Sequence, residues 1–264
     1  MGHVLSRQRR IHADAGNASE ESLVARVDPR VRILAAVAFA VTTVSCSSLG
    51  VLALALGAAV TLMLLANLPV AATLKRMAAM DGFIVFILLL LPFTVPGEPV
   101  FTLWGFEASR EGFVQAIAIG LTANAVVLSL MALVGSMEAV TLGHALHALK
   151  VQASLVHLLL FTVRYIEVLH QEYLRLRTAM KARGFRPSNS LHTYRSFGYL
   201  VGMMLVRALE RSERIMDAMK CRGFTGSIPM LSRFALSPAD AVFGLAIAAI
   251  VVGLLAAEHA HVLH

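Results

Sequence analysis

The apolar run VRILAAVAFAVTTVSCSSLGVLALALGAAVTLMLLAN, residues 31–67, decides the fold class. Asp28-Pro29-Arg30 opens it. At ~1.5 Å per residue, one unbroken helix over this run would be roughly 50 Å long, against a hydrocarbon core of about 30 Å. Ser45-Cys46-Ser47-Ser48 and Gly50 interrupt it, so it reads as two membrane spans joined by a tight turn in preference to a single tilted helix.

The rest of the chain agrees with a bilayer as solvent. Of 264 residues, 58% are hydrophobic and only 15% charged, with a mean hydropathy of +0.73. Soluble domains sit nearer half apolar and a quarter charged. Residues 68–81 mix Pro69, Lys75, Arg76 and Asp81 with Leu74, Met77 and Met80, the pattern of a short interfacial amphipathic piece. A third span is expected over Gly82–Val95, broken by Pro92 and Pro96, then an acidic loop over 97–112. A fourth is expected over Phe113–Met137 and a fifth over Ala239–Ala257, the last introduced by Ser237-Pro238-Ala239-Asp240. The expected fold is an all-α membrane protein of about five transmembrane helices, with two long cytoplasmic helices inserted before the last.

Charge sets an expected orientation. The net charge is +7, and residues 138–236 alone carry 14 Lys/Arg against 6 Asp/Glu. The positive-inside bias puts Arg30, Arg32, Lys75, Arg76 and this block on the cytoplasmic side of a cell membrane. The N-terminus (a tail over 1–27) is then cytoplasmic, and the C-terminus external. No apolar core followed by a small-residue cleavage site marks the N-terminus as a signal peptide. The basic residues lack the interleaved aromatics of a nucleic-acid groove, so nucleic acid is not an expected partner.

The expected domains are the tail 1–27, transmembrane helices 1–4 over 28–137, a cytoplasmic domain of long helices over 138–236, and the last transmembrane helix with the C-terminus over 237–264. The block 138–236 is too long and too patterned for a connecting loop. A short helix is expected over 139–150. Apolar residues at 158, 162, 165, 169, 173, 176 and 180 recur at helical steps, as do Phe197, Val201, Leu205, Ala208, Ser212, Ile215 and Met219. Each helix would run ~40 Å, and both carry too much charge to span a membrane.

The ends of these two helices match. Ala179-Met180-Lys181-Ala182-Arg183-Gly184-Phe185 recurs as Ala218-Met219-Lys220-Cys221-Arg222-Gly223-Phe224, with only Ala182 and Cys221 differing. A single Lys-x-Arg-Gly is ordinary helix capping, because Gly suits the C′ position and cations suit a helix C-terminus. A duplicated tip with Met before and Phe after suggests instead two equivalent docking sites. Arg would supply the planar fork for a carboxylate, the small residue close approach, and Met180, Phe185, Met219 and Phe224 apolar anchors.

With these features the chain resembles the T component, the transmembrane coupling subunit, of energy-coupling factor (ECF) transporters, and most closely the cobalt/nickel, CbiQ-like branch. The specific match is the pair of triplets Ala182-Arg183-Gly184 and Cys221-Arg222-Gly223. The resemblance implies two ABC-type ATPase partners, each receiving one of Arg183 and Arg222, and a membrane substrate-binding S component. ATP would be used by the ATPases, with no cofactor on this chain.

Other chemistry is thinly represented. There is no P-loop, no His-Glu-x-x-His and no Gly-x-Ser-x-Gly. Asp81 and Asp240 sit at span edges, so no carboxylate relay is expected within the spans. His144 and His147, and the terminal His259, His261 and His264, are read as interfacial or frayed positions rather than metal ligands. Cys46 and Cys221 have no disulfide or metal spacing. The competing function is a stand-alone carrier or membrane enzyme whose basic block binds lipid or phosphate.

Overall fold

A computed structural model describes residues 24–95, 99–103, 106–226 and 237–262. It divides into two units: residues 1–138 with 234–264, and residues 139–233. The tail expected over 1–27 lies almost wholly outside the described residues.

In the first unit, α1 (Pro29–Ser45) starts because Asp28 accepts the Arg30 N–H at 2.8 Å and Pro29 needs no donor. Thr42, Thr43 and Ser45 turn their hydroxyls onto the carbonyls one turn back, which lets polar residues sit in an apolar helix. The chain straightens at Cys46 and resumes as α2 (Leu49–Leu65), so the serine-rich break does divide the opening run. Ala36, Ala55, Ala59, Ala125 and Ala132 are completely buried and bring backbones close, while Phe39 and Leu52 fill the space between.

The third apolar helix departs from expectation. The amphipathic piece and the span are one element, α3 (Val70–Thr94), bent by 53° between Val70–Ala79 and Ile84–Thr94. The loop after it holds a two-stranded antiparallel hairpin, β1 (Pro99–Leu103) and β2 (Phe106–Ser109). Ser109 then caps α4 (Arg110–Leu133), accepting the Gly112 N–H at 3.1 Å and donating to Val95 O at 2.6 Å. A Cβ on Gly112 would lie 2.7 Å from Pro92 Cα, so only glycine lets α4 pass the end of α3. The last helix, α8 (Pro238–Val262), packs on α1 and α2.

In the second unit, α5 (Ala139–Ala148) packs on α6 (Ala153–Ala182), and α7 (Leu191–Cys221) packs on α6. Ser190 begins α7, accepting from the Thr193 N–H.

The chain is an all-α membrane protein with one small hairpin. By length and composition α4, α6 and α8 can each cross a membrane, and bent α3 makes a fourth candidate. At 17 residues α1 and α2 are shorter, roughly 26 Å each. The inclusion of α6 differs from the sequence expectation for a physical reason. Its charge is concentrated after Glu172, whereas the 18 residues from Ala153 to His170 hold only Arg164 and Glu167.

Candidate functional site

Both repeated heptapeptides fold into the same helix ending. At the first, Gly184 has φ +80°, its N–H bonds Lys181 O at 3.0 Å, and the Phe185 N–H bonds Met180 O at 3.0 Å. At the second, Gly223 has φ +80°, its N–H bonds Lys220 O at 3.0 Å, and the Phe224 N–H bonds Met219 O at 3.0 Å. Arg183 and Arg222 are the C-cap residues, with φ, ψ of −84°, 12° and −92°, 11°. This is the Schellman motif, in which a left-handed C′ residue folds the chain back over the last turn.

The motif explains part of what the sequence reading assigned to docking. Its C3 and C″ positions characteristically carry a hydrophobic pair. Met180 with Phe185 and Met219 with Phe224 occupy them, and all four are half-buried. α2 ends the same way, with Asn67 at φ 53° between Met63 and Leu68, and so does α5, with Lys150 at φ 63° between Leu146 and Val151. A left-handed C′ residue flanked by an apolar pair therefore accompanies this ending whether or not anything docks there. Capping does not require arginine at both C-caps, nor that Ala182-Arg183-Gly184 and Cys221-Arg222-Gly223 be wholly exposed, as they are.

The two tips stand far apart. Phe185 sits edge-on to Phe197, with ring centroids 5.8 Å apart at 87°, which ties the first tip to the beginning of α7. From Phe197 to Arg222, α7 rises roughly 37 Å at ~1.5 Å per residue. Midway, Arg207 of α7 forms an ion pair with Glu172 of α6. Between this pair and the first tip, the two helices border an open cavity of about 610 Å³.

Other residues singled out from sequence serve structural ends. Asp240 accepts the Asp28 N–H and the Ser237 N–H, each at 2.7 Å, joining the starts of α1 and α8. Glu258, which the expected span stopped short of, lies within α8 and accepts from Ser47 and Ser48. Its bonds are to Ser47 N–H at 3.0 Å, Ser48 N–H at 3.3 Å, and both hydroxyls at 2.7 Å. Arg32, in the first turn of α1, is buried and donates to Ser136 beyond α4. Arg32 and Glu258 are charges inside the helical bundle, but they stand at opposite ends of α1 and form no relay. A carboxylate near the end of an apolar helix was the only sequence signal for this pairing.

Among the described residues, no group of three or more His, Cys, Asp or Glu side chains is arranged to hold a metal ion. His259 pairs with Leu255 O at 3.1 Å. Cys46 is buried and Cys221 exposed, both as free thiols. Burial, and secondarily the Glu258 carboxylate, push the Cys46 thiol above its ordinary value.

A family profile described as cobalt transport protein, CbiQ, matches residues 20–231. The energy-coupling factor transporter transmembrane protein EcfT of Lactococcus lactis subsp. cremoris is 27% identical over 218 residues, covering 78% of this chain and 82% of that protein. The cobalt transport protein CbiQ of Rhodobacter capsulatus is 30% identical over 135 residues, covering 51% and 55%. An uncharacterized protein of Methanocaldococcus jannaschii is 32% identical over 105 residues, of which this chain spans 39% of the relative's length.

Proposed function

Because the chain belongs to the CbiQ family of cobalt transport proteins, the T components of ECF transporters, we propose that it couples ATP hydrolysis by partner subunits to uptake through a membrane S component. The observation that carries this reading is the pair of superposable, exposed Arg183 and Arg222 tips near the two ends of α7. Two sites separated by much of the length of α7 suit two separate ATPase subunits better than one groove. Each arginine is held at a rigid helix end with its guanidinium available to a carboxylate on the ATPase.

This chain binds no nucleotide in the scheme; ATP is used by the two ABC-type ATPases. When ATP draws them together, the tips move with them, and α6 and α7 shift about the Glu172–Arg207 contact. The S component rides on the apolar side of these helices, where Leu158, Ile166, Val201 and Leu205 are at least 60% exposed. The cargo is Co²⁺, by the family's name, or the chemically similar Ni²⁺, and the S component holds the specificity.

The orientation proposed is N-terminus and second unit cytoplasmic, C-terminus external. That the two termini face opposite sides is supported by α1 and α8 running parallel, joined at their starts by Asp28 and Asp240 and at their far ends by Ser47 and Glu258.

The test replaces both arginines, Arg183→Glu with Arg222→Glu, and leaves both glycines in place. Membrane insertion is expected to survive and co-purification of the ATPases to be lost. Normal assembly and metal uptake in that variant would rule the mechanism out.

A further inference from the structure

The cavity beside the first tip has a composition that the docking scheme does not by itself explain. Leu176 and Met180 of α6 form one wall, and Leu200 and Met203 of α7 the other. Arg183 and Arg207 also line it, and no carboxylate is among its lining residues. The two cations differ in state. Arg207 is paired with Glu172, whereas the Arg183 side chain makes no hydrogen bond or ion pair with any described residue. The Phe185–Phe197 contact ties the two walls together at the end nearest the first tip.

An open space of about 610 Å³ is in the range of sites that enclose a bulky group. Apolar walls with one unneutralised guanidinium at the rim suit an occupant that is apolar in depth and anionic at its edge. We propose that this cavity receives a large apolar side chain from the partner ATPase, next to the carboxylate that pairs with Arg183. The proposal rests on the coupling reading above and adds a reciprocal feature to it. The first tip accepts a knob from the ATPase as well as presenting an arginine to it. Charge complementarity favours a protein segment of this kind, because the anion partner of Arg183 and the apolar group then belong to one surface.

The experiment uses the full chain co-expressed with its ATPases and purified in nanodiscs. Ser196 lines the cavity, and Ser196→Phe fills it; Ser212→Phe adds the same bulk on an exposed part of α7 away from it. Excluding a buried apolar side chain is expected to weaken ATPase association about tenfold or more in Ser196→Phe, and not in Ser212→Phe. Independently of that variant's folding, a diazirine-bearing leucine analogue at position 203 is expected to cross-link to an ATPase subunit on illumination. Wild-type affinity in a monodisperse Ser196→Phe protein overturns the proposal, as does cross-linking from position 203 only to lipid or to the S component. If in that case Arg183→Glu still abolishes association, the coupling reading stands and only the cavity's role falls. If neither Arg183→Glu nor Arg222→Glu changes association, the coupling reading itself fails.

Discussion

Glu172 on α6 and Arg207 on α7 form an ion pair whose two partners are unequally covered: the Glu172 side chain is 11% exposed and that of Arg207 45%. The pair sits where the two long helices meet, between the cavity and the rest of their length. Its energetic weight is therefore lopsided.

Removing the arginine should cost more than removing the carboxylate. Arg207→Gln leaves the largely covered Glu172 carboxyl without its partner, an effect of about 2–3 kcal/mol. Glu172→Gln leaves an arginine that water can reach, about 1 kcal/mol. Denaturation of the two variants in detergent is expected to rank them in that order, and equal losses would show that the pair is solvated from both sides.

The tips separate capping from docking. Gly184→Ala and Gly223→Ala force a Cβ into the left-handed region at φ +80° and should each cost about 1 kcal/mol, fraying the last helical turn. Arg183→Ala and Arg222→Ala should change stability by no more than about 0.5 kcal/mol. Hydrogen exchange at 176–185 and 215–224 reads the fraying, and ATPase co-purification reads the docking. Arginine variants that lose stability and keep the ATPases would make the arginines caps.

Two carboxylates of α8 are expected to dominate the stability of the first unit. Asp240→Ala strands two backbone donors, about 3 kcal/mol in all, and Glu258→Ala removes the acceptor of two N–H groups and two hydroxyls, a loss at least as large. Both should lower the melting temperature without touching ATPase association. The measurement is a thermal melt beside a pull-down.

The thiols report on assembly. Cys221 is exposed in the second tip and should react readily with maleimide, while Cys46 is buried with its thiolate further disfavoured and should react slowly until pH is raised. Bound ATPase should protect Cys221. Unchanged labelling of Cys221 in the assembled transporter would place the second tip outside the interface.

Much of this was legible in sequence because it is local. The Ser45–Ser48 break, the Asp28-Pro29 start and the glycine endings each act within one helical turn of themselves. The hairpin at 99–109 was not, since a short pair of strands between prolines and glycines looks like any loop. Nor was the continuity of α3, whose polar residues Lys75 and Arg76 resemble a boundary. The Met–Phe pairs carry two readings at once: their repetition suggests docking anchors, and a Schellman ending favours an apolar pair at the same positions. The Asp28–Asp240 and Ser47–Glu258 bonds were illegible because their partners lie more than 200 residues apart in the chain.

That separation in sequence has a consequence for how the protein is made. At about 5–20 residues per second, the first helical hairpin enters the membrane some ten to forty seconds before the ribosome has produced the carboxylates that clasp it. Until then the backbone donors at Ser47 and Ser48 have only water to bond. A nascent chain that has not yet reached Glu258 holds an unfastened hairpin, so α8, made late, fastens a pair of helices made early.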